Sequence, residues 1–240
     1  MSSCPKLSVI ILCYRSGESL IDFFEEVKET VANYVPIHEF ILVANYLEGS
    51  NDRTGEYAKV VAAENENCTA LSISKKGMMG WDMRQGLDAA TGDVLCIIDG
   101  DGQFPISSIL DCYQVMEKEK VDLVKTYRET RNDGIYRRII STAYNLIFKI
   151  LFPGLNSKDV NSKPKLLRSS AYKKMKLTSD DWFVDAEIML NVRDYKMSFR
   201  EIPVEFDELK GRKSFVKPQA IIEFLINMVR YRLKNSTENP

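Results

Sequence analysis

Along the N-terminal half of the chain, short apolar runs alternate with longer segments whose apolar residues recur at helical spacing. The runs are rich in Val, Ile and Leu, which is typical of strands that are buried on both faces. Ser50 or Asn51 is the expected N-cap of the second helix. The predicted strands are 7–14, 39–45, 69–74 and 93–99, and the predicted helices are 19–33, 52–65 and 80–90. This alternation predicts an α/β fold with a central, mostly parallel sheet flanked by helices, in which a ligand binds beyond the carboxyl ends of the strands.

The size and charge of the chain limit what it can be. A chain of 240 residues, 45% of them hydrophobic, can bury a core of ordinary size, and it predicts one domain over 1–240. Its 33 basic and 34 acidic residues give a formal net charge of −1, which indicates no nucleic-acid partner. Five scattered cysteines and a single histidine argue against a disulfide framework or a zinc site and favour a cytoplasmic protein. No apolar stretch has the length that crossing a membrane requires.

The fourth predicted strand ends in a concentration of negative charge. Asp99 and Asp101 are separated by one glycine, and Gln103 follows two residues later. Carboxylate and amide oxygens suit a hard cation such as Mg²⁺ or Mn²⁺, which would also bind the diphosphate of a substrate. The alternative is an ordinary solvated turn, since Asp and Gly are common in turns. The position at the end of a buried parallel strand favours the metal site.

The segment ATGDVLCIIDGDGQFP, residues 90–105, resembles the aspartate signature of family 2 glycosyltransferases. The likeness is to the branch of dolichyl-phosphate mannosyltransferase and the bacterial polyprenyl-phosphate sugar transferases. It implies a GT-A fold and an inverting, metal-dependent transfer of a sugar from a nucleotide-sugar to an acceptor, with polyprenyl phosphate at the membrane surface favoured. The nucleotide-sugar part would occupy about 1–105, and the acceptor part and C-terminal helices would occupy about 106–240.

Matching motifs in the first half of the chain carry the donor-binding residues of the family over to this sequence. Where the family usually has two aspartates after its second strand, this chain has Asn45, although Ser50, Asp52 and Thr54 keep the family spacing. The resemblance assigns the metal to Asp99, Asp101 and Gln103, and gives Asp101 a catalytic role. The nucleotide-sugar-binding residues that it implies are Tyr14, Glu18, Asn45, Asp52, Gly80, Arg84 and Asp99.

A cluster of basic residues in the second half of the chain resembles the segment with which these enzymes grip the phosphate of the lipid acceptor. Guanidinium groups bind phosphate through two parallel hydrogen bonds, although arginines are also ordinary surface cations. A later basic loop resembles the closing stretch of the family. It has two interpretations, a mobile lid that closes over the diphosphate and an ordinary solvated loop. The residues implied are Arg128, Arg137, Arg138 and Ser141 in the first segment, and Arg212, Lys213 and Ser214 in the loop. The stretch 159–168 departs from the acceptor motif of the family.

Asp185 and Glu187 are the candidates for a general base, Glu187 being the glutamate that the resemblance carries over. An acceptor hydroxyl requires a base, whereas a phosphate acceptor is already anionic and requires none. Two alternatives to the polyprenyl-phosphate transferase therefore stay open. One is a transferase that acts on a hydroxyl of a lipid-linked or surface glycan, and the other is a non-catalytic nucleotide-sugar-binding protein.

Two apolar segments, 138–152 and 219–233, have basic residues nearby and suggest a peripheral contact with the inner face of the membrane. Core helices are the commoner explanation for such segments. The residues expected on one face of the first segment are Ile139, Ala143, Ile147, Ile150 and Leu151.

Overall fold

A seven-stranded sheet forms the centre of the protein, in a computed structural model that describes residues 6–131, 135–206 and 225–233. The strands are β1 (Leu7–Leu12), β2 (His38–Val43), β3 (Cys68–Leu71), β4 (Val94–Asp99), β5 (Leu123–Arg131), β6 (Lys165–Arg168) and β7 (Phe199–Phe206). Their order across the sheet is β3-β2-β1-β4-β6-β5-β7. β6 is antiparallel to β4 and β5, and the other paired strands are parallel. The expected mostly parallel α/β sheet is confirmed.

Helices cover both faces of this sheet. They are α1 (Ser19–Ala32), α2 (Thr54–Glu64), α3 (Met79–Ala89), α4 (Ser107–Glu119), α5 (Ile135–Leu151), α6 (Ser169–Tyr172) and α7 (Val184–Asp194), and residues 225–233 are also helical. One apolar cluster joins α1, α2 and α4 to the sheet, and a second joins α3, α5 and α7 to the opposite face. Along β1, Val9 and Ile11 belong to the first cluster and Ile10 to the second, as the two-residue period of a strand requires. A strand buried on both faces therefore has the unbroken apolar sequence that predicted it.

The start of α2 differs from the expectation. Neither Ser50 nor Asn51 caps this helix, so that prediction was wrong. Instead, Asp52 Oδ1 accepts hydrogen bonds from the backbone N–H of Thr54, at 3.0 Å, and from its hydroxyl, at 2.5 Å. The chain leaving β2 first runs beside β3 as far as a bridge between Tyr46 and Ser74, and this places the helix start later in the sequence.

Three residues of the apolar stripe predicted for 138–152 lie on the outside of α5, whereas the side chain of Ile139 lies outside the described part of the structure. Ala143, Ile147 and Ile150 are exposed, whereas Phe148 is buried against the core. Packing of aromatic side chains selects the buried face, because an aromatic ring removes more apolar surface from water than a single aliphatic side chain does. The more common expectation, that this stripe faces the core, was wrong for these three residues.

Gly86 allows α3 to pack directly against β1 and β2. A Cβ atom at this position would lie 2.4 Å from Cγ2 of Ile10 and 2.9 Å from Cγ2 of Val43. These atoms belong to two buried strands and have little room to move. The glycine therefore allows the helix to approach the carboxyl ends of β1 and β2.

The substitution Gly86→Val should destabilise the protein by about 2 kcal/mol or more, because overpacking the contact with Ile10 and Val43 outweighs any gain in backbone rigidity. Chemical denaturation would measure the change. Gln85→Val is the matched control, since the same side chain at this partly exposed neighbour should cost about 0.5 kcal/mol. Equal stability of the two variants would contradict the packing argument.

Candidate functional site

The loops that follow β1, β2 and β4 meet at one edge of the sheet. The Ser16 hydroxyl donates a 3.3 Å hydrogen bond to the carbonyl of Gly100, and the backbone N–H of Gly17 donates a 2.9 Å hydrogen bond to the hydroxyl of Thr54. The loop after β1 thereby contacts both the start of α2 and the aspartate motif after β4. Glu18 lies exposed in this loop, and Asp52 lies beside Thr54. Carboxyl ends of parallel strands thus bring distant predicted residues together.

A buried polar network lies behind Tyr14. Asn45 Nδ2 donates a 3.0 Å hydrogen bond to Asp82, and Asn45 Oδ1 accepts one of 3.0 Å from the backbone N–H of Ile73. Lys75 forms a salt bridge with the other oxygen of Asp82, and its ammonium lies 4.2 Å from the centre of the Tyr14 ring. Burial raises the pKa of Asp82, while Lys75 opposes the shift. Asn45 therefore acts together with an aspartate and a lysine rather than alone.

Sequence reasoning missed both Asp82 and Lys75 as members of this network. They flank the glycine-rich segment that contains Gly80, so their place in the sequence was a usable signal. Their partners are far away along the chain, since Asn45 and Asp82 are 37 positions apart. The three side chains come together only because β2 and β3 are parallel neighbours and α3 packs on the same edge of the sheet.

Gly80 and Arg84 both contact the loop around residue 180. A Cβ atom at Gly80 would lie 2.5 Å from the backbone carbonyl oxygens of Ser179 and Asp181, so this position requires glycine. Arg84 forms a salt bridge with the carboxylate of Asp180. In this structure the two predicted donor-binding residues hold a loop from the second half of the chain against α3.

The aspartate motif forms the exit from β4. Asp99 is the last residue of the strand and is partly exposed, and Asp101 is exposed in the turn that follows. The carboxylate of Asp101 accepts a 3.1 Å hydrogen bond from the backbone N–H of Gln103, and Gly102 has a φ of +72°, which glycine adopts at low cost. The two carboxylates and the glutamine oxygen are hard ligands that fit Mg²⁺ or Mn²⁺.

Two buried lysines lie next to this motif. Lys163 Nζ lies 3.2 Å from each carboxylate oxygen of Asp99 and 3.2 Å from Oδ2 of Asp185. Lys165 forms a salt bridge with the other oxygen of Asp185 and donates a 3.0 Å hydrogen bond to the carbonyl of Ser162. Burial lowers the pKa of Lys165 to about 8. At Lys163 burial acts in the same direction, but Asp185 and Asp99 outweigh it and raise the pKa above its usual value.

Lys163 is a further residue that sequence reasoning missed. It lies in the stretch 159–168, where the chain departs from the family pattern, and two lysines there flank a proline next to an apolar run. Lysines at such positions are rarely buried without a partner, which was the available signal. The partner itself lies 64 positions away along the chain.

The two candidate bases have different surroundings. Asp185 is fully enclosed between the two lysines. Glu187 is also buried, and its carboxylate accepts three hydrogen bonds of 2.9 Å, from the backbone N–H and hydroxyl of Thr178 and from the backbone N–H of Ser179. Glu187 thus anchors the loop that leads to Asp180, while Asp185 belongs to the charged cluster beside Asp99.

The guanidinium of Arg128, which was predicted to bind the acceptor phosphate, is paired with Asp159 through Nε at 2.6 Å and Nη2 at 2.9 Å. Burial would raise the pKa of Asp159, but Arg128 and Lys125 hold it well below its usual value. Arg137, Arg138 and Ser141 lie in the N-terminal half of α5. The predicted basic loop with Arg212, Lys213 and Ser214 lies outside the described residues.

Residues 8–179 match the profile of glycosyl transferase family 2. The chain belongs to this family. It is 28% identical over 178 residues to dodecaprenyl-phosphate galacturonate synthase of Rhizobium johnstonii, covering 73% of this chain and 51% of the relative. It is 26% identical over 233 residues to dolichol-phosphate mannosyltransferase of Pyrococcus furiosus, covering 94% of this chain and 63% of the relative. The expected branch of the family is confirmed, and the chain spans about half to two thirds of the length of these relatives.

Solved structures show the same architecture. Glucosyl-3-phosphoglycerate synthase from Mycobacterium tuberculosis, in complex with Mn²⁺, uridine diphosphate and phosphoglyceric acid, superposes with a TM-score of 0.74. The match covers 95% of this chain and 78% of that one at 13% sequence identity, so the likeness concerns the fold. The expected GT-A fold is confirmed.

The substitution Glu187→Gln should destabilise the protein by about 2 kcal/mol, because an amide cannot replace a charged acceptor of three hydrogen bonds. Urea denaturation would measure the loss, and limited proteolysis would show whether the loop at 178–181 opens first. Glu56→Gln, which alters an exposed carboxylate paired with Arg53 on α2, should change the stability by less than about 0.5 kcal/mol. A Glu187→Gln variant as stable as the parent would exclude the anchoring role.

Proposed function

We propose that this protein is an inverting, metal-dependent glycosyltransferase that moves a sugar from a nucleotide-sugar to polyprenyl phosphate. The observation that carries the proposal is the meeting of the Asn45 network and the aspartate motif at one edge of the sheet. Polar side chains that could orient a nucleoside, beside hard ligands for a cation, suit a nucleoside diphosphate. The names of the family relatives support an acceptor of the polyprenyl-phosphate class.

Tyr14 and the network of Asn45, Asp82 and Lys75 would orient the nucleoside of the donor. Asp99, Asp101 and Gln103 would hold Mg²⁺ or Mn²⁺, as the complexes of the structural neighbour with Mn²⁺ or Mg²⁺ and uridine diphosphate suggest by analogy. Bound there, the cation would stabilise the negative charge of the departing diphosphate. Among the residues that the structure describes, no three His, Cys, Asp or Glu side chains form a complete metal-binding group. Oxygen atoms of the donor would therefore complete the coordination.

The surroundings of the two candidate bases favour an anionic acceptor. Asp185 is paired with Lys163 and Lys165, and Glu187 is occupied by the loop at 178–179. Neither carboxylate is arranged to accept a proton from a substrate hydroxyl. A phosphate oxygen can attack the anomeric carbon without losing a proton, while the bond from that carbon to the nucleotide oxygen breaks on the opposite side. This reaction inverts the anomeric configuration and needs no base.

The acceptor phosphate would bind on the side of β5 and α5. Arg128 is held in a defined orientation by Asp159. We propose Arg137, Arg138 and Ser141 of α5, whose side chains lie outside the described part of the structure, as further phosphate ligands. Arg212, Lys213 and Ser214 belong to the same proposal as residues that would close over the two phosphates. Guanidinium groups suit this task because they bind phosphate in a planar, bidentate manner.

The substitution Asp101→Asn should reduce sugar transfer at least about 100-fold, because the weakened cation site would no longer neutralise the leaving diphosphate. Release of nucleoside diphosphate from a panel of nucleotide-sugars, with Mn²⁺ and a short polyprenyl phosphate, would measure it. Asp111→Asn, which alters an exposed carboxylate on α4, is the control and should retain parental activity. If the unmutated protein binds a nucleotide-sugar but does not turn it over, the non-catalytic alternative is favoured instead.

A membrane contact on the outer face of α5 forms the second part of the proposal. The exposed apolar residues of α5 and of the helical segment 225–233 are Leu146, Ile147, Ile150, Ile226, Val229 and Leu233. The two helices are neighbours, since the rings of Phe152 and Tyr231 lie 6.0 Å apart. The basic residues Lys149 and Arg230 are exposed on the same helices. An apolar surface with basic residues suits an anionic membrane interface.

Within the described residues, none of the helices is long and apolar enough to cross a membrane. The contact that we propose is peripheral and rests on the exposed apolar residues of the two helices. It would keep the isoprenoid chain of the acceptor in the bilayer while the phosphate reaches the N-terminal half of α5. Extraction of the whole lipid would then be unnecessary.

The double substitution Ile147→Ser with Ile150→Ser should lower co-sedimentation with anionic liposomes at least about threefold and leave the fold unchanged, because both side chains are exposed. Circular dichroism would confirm folding. Phe148→Ala, which removes a buried ring from the same helix, should instead destabilise the protein by about 3 kcal/mol or more. A folded double variant that still co-sediments fully would exclude this contact surface.

A further inference from the structure

An ammonium group is built into the candidate cation site. The antiparallel register that pairs Ile97 of β4 with Lys165 of β6 brings Lys163 level with Asp99. Lys163 Nζ then lies 3.2 Å from both oxygens of the Asp99 carboxylate, one of the groups that would bind the metal. A fixed positive charge and a divalent cation bound at this motif would therefore share Asp99 as a ligand.

Lys163 cannot swing away from this position at low cost. Only 2% of its side chain is exposed, and its ammonium also contacts Asp185 at 3.2 Å and the sulfur of Met79 at 3.6 Å. Moving the charge elsewhere would leave Asp185 buried with only Lys165 as a charged partner, and breaking buried ion pairs is costly.

The charge of Lys163 is only partly cancelled by Asp185. The single negative charge of Asp185 lies between two ammonium groups, because Lys165 pairs with its other oxygen. Lys163 consequently attracts Asp99 and repels a cation that approaches the same carboxylate. At separations of a few ångströms this repulsion is large on the scale of a binding free energy.

We propose that Lys163 is a specificity-determining residue that keeps the affinity of the aspartate motif for a free divalent cation low. The cation would then bind well only together with the diphosphate, whose negative charge offsets the ammonium. This inference rests on the proposed cation site at Asp99 and Asp101.

Titration of the full chain with Mn²⁺ alone, followed by electron paramagnetic resonance, tests the inference without any turnover. Lys163→Met and Lys163→Gln should bind Mn²⁺ at least about tenfold more tightly than the parent. Lys165→Met is the matched control, because this lysine is equally buried and touches Asp185 but is not paired with Asp99. Its Mn²⁺ affinity should change less than about threefold. An unchanged affinity in the Lys163 variants, or an equal gain in Lys165→Met, would overturn the inference.

Two further variants separate this inference from the proposed function. Adding Asp101→Asn to Lys163→Met should abolish the gained Mn²⁺ binding, and persistence of that binding would refute the cation site itself. If Asp101→Asn weakens binding while Lys163→Met changes nothing, only the role of Lys163 fails. Lys163→Met leaves the buried pair of Asp185 with Lys165 intact, so this variant should fold, as judged by circular dichroism. Failure of every Lys163 variant to fold would assign this lysine to the fold and overturn the inference.

Discussion

Pairing of two buried lysines constrains the whole candidate site. Lys163 and Lys165 are buried next to β4, at the centre of the sheet. A buried carboxylate must therefore lie beside them to offset their positive charge. Asp185, at the start of α7, meets this requirement and thereby fixes α7 against β6. Loss of one partner from such a buried group costs about 3–5 kcal/mol, so the position of this carboxylate is strongly determined. Lys163, held in place by Asp185, in turn fixes the position of the Asp99 carboxylate.

Buried charge pairs also organise the part of the second half of the chain that surrounds Arg128. Lys125 on β5 is fully buried and forms a 2.9 Å salt bridge with Glu201 on the neighbouring strand β7. Glu201 also accepts a 2.7 Å hydrogen bond from the hydroxyl of Ser157, two residues before Asp159. The loop that orients Arg128 is therefore tied to the sheet by charged hydrogen bonds.

The outer face of α5 shows why amphipathicity alone is an ambiguous guide. The helix has two apolar sides, and the aromatic one packs on the core. The remaining apolar residues form the outer face of α5 and are exposed, as are those of the neighbouring segment 225–233. Large apolar surfaces on soluble domains usually mark a contact with another molecule or a membrane. The surface lies on the same helix as the proposed phosphate ligands, so a membrane contact and acceptor binding would be linked through one element.

The sequence by itself determined the α/β order, the both-faced burial of β1 and β4, and the concentration of oxygen ligands at the end of β4. These features follow from local rules, because strand and helix periods are encoded in neighbouring residues and the carboxyl ends of parallel strands meet at one edge. The family resemblance added the expectation that donor-binding residues lie in the first part of the chain and acceptor-binding residues in the second. It did not reveal that Asn45 would be joined to Asp82.

Only the tertiary structure decided which charged groups are partners. The pairing of Lys163 with Asp99 joins residues that are 64 positions apart, and it depends on β6 running antiparallel between β4 and β5. The same holds for Glu187, whose role as an anchor depends on the path of the loop at 178–179. Residue type and spacing show that a charge is present, whereas its partner is set by the topology of the sheet, because a buried charge is stable only where the fold brings an opposite one to it.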